Sequence, residues 1–219
     1  MAAVALLFAA APVADAGSWN QVPIELPLPA KLDTDPGESL LVARFRATDH
    51  DWIDVGLEIS RWMRRQLART TALDVLDVPP PPIPEQRPAQ LAVNDVFWRR
   101  LGNDFQADLI VAGVASYQID DRSGYVTEDV ISNITGQTVR QSRFAEMTGF
   151  RLRVEIFFLK GDNGALLHND VWQEETVRGE GNIREHLEVL FELLESMADD
   201  LSAVFLPTRI TEPRFIWVE

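Results

Sequence analysis

Between residues 107 and 120 (ADLIVAGVASYQID) the hydrophobic pattern changes period, and the rest of the chain is organised around that change. Leu109, Ile110, Val111, Ala112 and Val114 form a continuous apolar run, rich in β-branched residues and too short for a membrane span. Such a run predicts a strand buried on both faces. Past Gly113 it gives way to alternation: Ala115, Tyr117 and Ile119 share one side, Ser116, Gln118 and Asp120 the other. The strand is expected to start between two layers and to end with one side in water.

The same reading places the other elements. Residues 39–46 (SLLVARFR) predict a strand with Leu41, Ala43 and Phe45 inward. A helix follows over about 54–69, its core stripe being Val55, Ile59, Trp62, Met63 and Leu67. Residues 73–78 form a second strand. The proline run 79–88 (PPPPIPEQRP) reads as a stiff polyproline connector, with docking into a partner's aromatic groove as the other reading. A short helix over about 91–101 is expected to end at Gly102-Asn103. The polar insert 121–148 suggests a loose hairpin projecting from the sheet, turning at Thr135-Gly136. Residues 150–160 and 165–177 read as strands joined at Asp162-Asn163-Gly164, a hairpin turn signal. A long helix covers 183–205, Pro207 stops it, and residues 214–218 (RFIWV) make a last strand.

Prolines at 23, 27, 29 and 36 argue against a central strand in residues 17–38, which read as an extended arm. The element order predicts an α/β (α+β) fold: a mixed β-sheet flanked by helices, with a hairpin and a long carboxy-terminal helix. Residues 39–219 are expected to form one domain, a size ample for a single core.

Composition narrows the function classes. The formal net charge of -14 argues against nucleic-acid binding, which needs a basic face to neutralise phosphates. Cysteine is absent, which removes disulfides, thiolate metal sites, cysteine nucleophiles and a lipid-acylated cysteine together. Residues 2–13 (AAVALLFAAAPV) have the length of a signal-peptide core, and Ala14-Asp15-Ala16 supplies small residues before a cut at Gly17. The expectation is a signal peptide over 1–16, no integral membrane span, no lipid anchor and a periplasmic or secreted protein.

Candidate chemistry is sparse. Asp49-His50-Asp51 offers metal-ligating groups in one loop, although acids before a helix are also the ordinary cap arrangement. His168 with Asp170 is a second pair, and His186 is expected on a solvated helix face. Nucleophile-elbow, Walker and zinc-protease patterns are not found in the sequence, so no catalytic, cofactor or metal residue is assigned.

Two features suit binding. Arg61, Arg64, Arg65 and Arg69 line one side of the first predicted helix, and Arg99 and Arg100 lie on the second. In so acidic a chain they are candidates for an acidic partner or a neighbouring subunit, or else are exposed arginines offset by nearby acids. The tail carries Phe215 and Trp217, which close the sheet as an edge strand or add to a partner's sheet with Trp217 as anchor.

The succession "LLVARF", an amphipathic helix, "LDVLDV", "WRRLGNDFQADLIVAGVASY" and the turn "GDNGA" resembles the α/β fold of the TolB amino-terminal domain and the curli secretion channel lipoprotein, over residues 39–205. That resemblance implies an envelope protein that binds other proteins or builds oligomers, linked to outer-membrane transport or secretion. The 121–148 insert lacks the clean alternation of a membrane-spanning hairpin. The expectation is a non-enzymatic exported envelope protein whose partner is another envelope protein or itself. The alternatives are a metal-dependent hydrolase using the 49–51 loop and a carrier of a small apolar ligand.

Overall fold

The computed structural model describes residues 18–47, 52–131, 136–179 and 183–218. In chain order it begins with β1 (Ser18–Leu28), β2 (Ser39–Val42), β3 (Arg46–Ala47), α1 (Val55–Thr70) and β4 (Asp74–Val75). Then come α2 (Pro88–Ala92), α3 (Asp95–Phe105) and β5 (Leu109–Asp121). The strands β6 (Gly124–Ile131), β7 (Thr138–Ala145), β8 (Met147–Lys160) and β9 (Leu166–Gly179) follow. Last are α4 (Ile183–Ser196), α5 (Ala198–Phe205) and β10 (Thr208–Val218).

The run singled out in the sequence is the centre of the main sheet. Its strand order is β4-β2-β5-β8-β9, with β3 also paired to β5. β2 and β3 pair with β5 in parallel, whereas β8 and β9 continue antiparallel, so the sheet is mixed as predicted. Alternation sorts the side chains. Leu109, Val111, Ala115 and Tyr117 join Leu40 and Val42 in a core closed by α1, α4 and α5. Ile110 and Ala112 join Leu41 and Ala43 in a second core under α2 and α3.

Only half of the sheet has this second cover. In β8, Phe150, Leu152, Val154, Ile156 and Phe158 all enter the first core, but of the opposite side only Phe157 and Leu159 enter the second. Arg151, Arg153 and Glu155 take the uncovered positions, and β5 turns from buried to partly exposed past Gly113. The change of period in the sequence therefore marks where the second helical layer stops.

Several boundaries differ from the sequence reading. Gly102 lies inside α3, which runs on to a left-handed cap at Gln106 (φ 53°). A Cβ on Gly102 would come 2.2 Å from the carbonyl oxygen of Gly161, so that glycine serves close packing of helix on turn. The long carboxy-terminal helix breaks at Met197 into α4 and α5. The strand predicted over 73–78 shortens to β4, because two residues suffice to meet β2 before the prolines begin. The proline connector is strapped down: Pro81 is half-buried or better and its carbonyl accepts from Arg44 N at 2.8 Å. Within the polar insert β6 and β7 pair as a two-stranded antiparallel sheet, as a hairpin requires, and the turn expected at Thr135-Gly136 lies partly outside the described residues.

The domain boundaries need correction. The described residues within 30–206 form one compact unit, while those up to Pro29 and from Pro207 form another. Within that second unit β1 pairs antiparallel with β10 along eleven residues each. The arm is thus a strand, and the tail belongs with it rather than with a single domain over 39–219. The prolines permit this because a two-stranded ribbon has no interior strand to interrupt.

Candidate docking surface

The β1–β10 ribbon gathers the sequence's tail candidates into one surface. Pro23 lies directly opposite Pro213. Neither residue has an N–H, so this must be a non-hydrogen-bonded pair, and pairs an even number of residues away share that character. Trp19 opposite Trp217 is such a pair, where side chains approach most closely. Their rings meet edge to face with centroids 5.4 Å apart. Phe215, opposite Gln21, lies on the same side.

Trp19, Phe215 and Trp217 remain 65%, 66% and 51% exposed. Isolated two-stranded ribbons are marginal in water, and aromatic side chains of this size are normally buried. The other side carries Ile24, Leu28, Ile210 and Ile216, also exposed. Charge on the ribbon is internally paired: Arg209 to Glu25 at 3.0 Å and Arg214 to Glu212 at 3.1 Å. The missed partner was Trp19. Its signal in the sequence is that Trp19, Pro23 and Pro27 share one parity, which marks the side of a strand whose N–H groups need no partner.

The arginines do not converge. Arg61, Arg64, Arg65 and Arg69 are on α1, against the first core, whereas Arg99 and Arg100 are on α3, against the second, across the sheet. Several already hold acids or carbonyls of their own chain. Arg61 pairs with Glu58 at 2.7 Å, Arg64 with Asp77 at 3.1 Å and the Val78 carbonyl at 2.7 Å, and Arg100 with Asp104 at 3.7 Å. Arg69 donates to the Gln66 side chain.

The 49–51 loop lies outside the described residues. Among the described residues no group of three His, Cys, Asp or Glu side chains is arranged to hold a metal. His168 stacks on Phe158, its Nε2 3.7 Å from a carboxylate oxygen of Asp170. His186 is not on a solvated face. It is half-buried, its ring 5.2 Å from Phe150 and 5.7 Å from Trp52 between centroids, because the start of α4 packs over the sheet. Its carbonyl accepts from the Tyr117 hydroxyl at 2.8 Å, and burial pushes that phenol's pKa up.

Two cavities are lined by carboxylates. One of about 510 Å³ sits at the foot of the β6–β7 hairpin, among Asp120, Asp121, Ser123, Glu146 and His186. Hydrogen bonds from Ser123 hold the Asp121 carboxyl below the ordinary range, and Asp120 is paired with Arg122. The other, about 330 Å³, lies among Asp33, Glu38, Asp108, Lys160 and Asp162. Ser39 donates its hydroxyl (2.7 Å) and backbone N–H (2.9 Å) to Asp108 and lowers that pKa. Asp108, Asp120 and Asp121 are solvated acids with local donors, the arrangement of surface turns.

No protein-family model matches the chain, and no curated protein sequence matches it. Among solved structures it is similar to a PelC dodecamer from Paraburkholderia phytofirmans, at 11% identity and a TM-score of 0.43, over 84% of this chain and 99% of that one. It is also similar to a putative neuraminyllactose-binding hemagglutinin homolog from Helicobacter pylori, at 10% identity and a TM-score of 0.38, over 78% and 86% of the two chains. Lipoprotein GNA1162 from Neisseria meningitidis matches at 11% identity and a TM-score of 0.33, over 74% and 99%. At these scores none of the three decides a family or a function for this chain, and the TolB-like resemblance is not confirmed.

Proposed function

We propose that this protein is an exported, non-enzymatic component of the bacterial envelope that works by docking on another protein or on itself. The observation that carries the reading is the exposed aromatic side of the ribbon, where Trp19, Phe215 and Trp217 stand together, each at least half in water. Large aromatics clustered at a surface are the residues that anchor interfaces. The signal-like stretch 2–13 supports export.

The test is affinity capture from cross-linked envelopes with the tagged chain, alongside cell fractionation and determination of the mature amino terminus. Capture that fails when Phe215 and Trp217 are replaced by alanine, together with cleavage before Gly17, is the expected result. Intact leader in cytosolic material refutes export. A hydrolytic activity or stoichiometric metal that disappears with His50→Ala refutes the non-enzymatic reading.

A further inference from the structure

Resting on that docking reading, we infer that the occupant of the ribbon's aromatic side is the same side of a second copy of this chain. The pattern along this side is self-complementary. Pro23 and Pro213 stand at its middle. Four residues to one end lie Trp19 and Trp217; four residues to the other lie Pro27 and Arg209. Antiparallel strands rise about 3.4 Å per residue, so both ends are about 14 Å from the proline pair.

A two-fold axis running across the ribbon through Pro23 and Pro213 sets the two copies face to face with strands reversed. It lays each Trp19 over Pro27 of the second copy and each Trp217 over Arg209. Both are favourable pairings: a ring on an aliphatic ring, and a guanidinium on an indole face. Each aromatic end thereby meets what the other end supplies, and the contact closes as a dimer rather than growing into a fibre.

Charge favours the same occupant. The whole chain carries a formal charge of -14, and two copies repel over most surfaces. The paired strands contain Glu25, Glu212, Arg209 and Arg214 as their charged residues and are formally neutral, each acid already matched to an arginine. A highly charged partner gains little here, whereas a second neutral ribbon meets no net repulsion. Edge-to-edge growth is disfavoured instead. The positions whose backbone nitrogen faces outward include Pro23, Pro27 and Pro213, which have no N–H to offer and so interrupt both outer edges.

The size of the contact sets its strength. From aromatic side chains of about 150–250 Å² each, Trp19, Phe215 and Trp217 leave roughly 300–450 Å² in water per copy at their exposures. Twice that area, about 600–900 Å², is below the size of stable specific interfaces and in the range of weak, transient ones, which predicts a dimer that dissociates on dilution.

The test is sedimentation of the mature full chain across a concentration series. The expected result is a monomer–dimer equilibrium whose Kd rises at least about tenfold in Trp19→Ala/Trp217→Ala. Since the chain has no cysteine, a single reporter thiol is unambiguous. Packed sheets lie about 10 Å apart, so a bismaleimide of about that span should join Pro23→Cys to its own copy but leave Asn103→Cys, on α3, unjoined. This second arm keeps both tryptophans and does not depend on how the double variant folds. A monomer at all concentrations overturns the inference, as does a dimer unaffected by the tryptophan changes or one that the bismaleimide fails to join in Pro23→Cys. Binding of the monomer to phosphatidylglycerol vesicles overturns it too. A monomer that still captures another envelope protein through Trp217 overturns self-association and leaves the docking reading standing, whereas one that captures nothing ends both.

Discussion

Gly102→Ala separates two views of the same residue. Helix propensity alone says that alanine inside α3 stabilises by about 1 kcal/mol over glycine. The structure says the reverse. The new methyl would lie 2.2 Å from the Gly161 carbonyl oxygen and 2.6 Å from both its carbonyl carbon and its Cα, all backbone atoms that cannot rotate away. Gly161 is itself wedged, because a Cβ there would meet the Ala107 carbonyl oxygen at 1.8 Å. Its N–H is held by the Asp108 carbonyl at 2.8 Å. To admit the methyl, α3 must lift off the β8–β9 turn and loosen Trp98 and Leu101, both in the second core. Against backbone atoms this close the upper part of the usual overpacking range applies, about 2–3 kcal/mol, so a net loss of about 1–2 kcal/mol remains after the propensity gain. For a chain of this length that corresponds to a Tm lower by about 2–8 °C. Urea titration followed by far-ultraviolet circular dichroism measures it, with Asn103→Ala as the exposed reference that should stabilise slightly. A Gly102→Ala protein as stable as the parent, at unchanged m, would refute the close-packing account.

Three further outcomes follow from particular contacts. The Ser60 hydroxyl, fully buried, accepts from Phe45 N at 2.9 Å and donates to the Gly56 carbonyl at 2.8 Å. Ser60→Ala should cost about 1–3 kcal/mol in urea titration by orphaning the Phe45 N–H. Leu190 is 0% exposed where α4 meets the first core, and Leu190→Ala should cost about 2–5 kcal/mol in the same assay. Asp108 titrates below its ordinary 3.8 because the Ser39 hydroxyl and N–H favour the carboxylate. A depressed pKa stabilises the fold above the unfolded value and loses that contribution as pH falls through the folded one. Ser39→Ala should therefore be less stable than the parent at neutral pH, with the gap narrowing below pH 3.8. Two-dimensional NMR of the Asp108 carboxyl should show its pKa rising towards the ordinary value.

What the sequence decided by itself is whatever depends on neighbours a few residues apart. The change from a continuous apolar run to alternation within 109–120 is a local property, and it marks the central strand and the point where one face becomes wet. The Asp-Asn-Gly turn between β8 and β9 and the 3.6-residue stripe of α1 are local in the same sense. Tertiary structure decided what depends on distant partners. Nothing near Trp19 tells it that Trp217 will stand opposite, since pairing across nearly the whole chain rests on register and leaves no short-range trace. Gly102 reads as a stop signal in one dimension and becomes a contact point only when Gly161 arrives against it. The arginines of α1 and α3 look like one group on paper, but the sheet between them puts the two sets on opposite sides, because alternate residues of β5 must be covered by different helices.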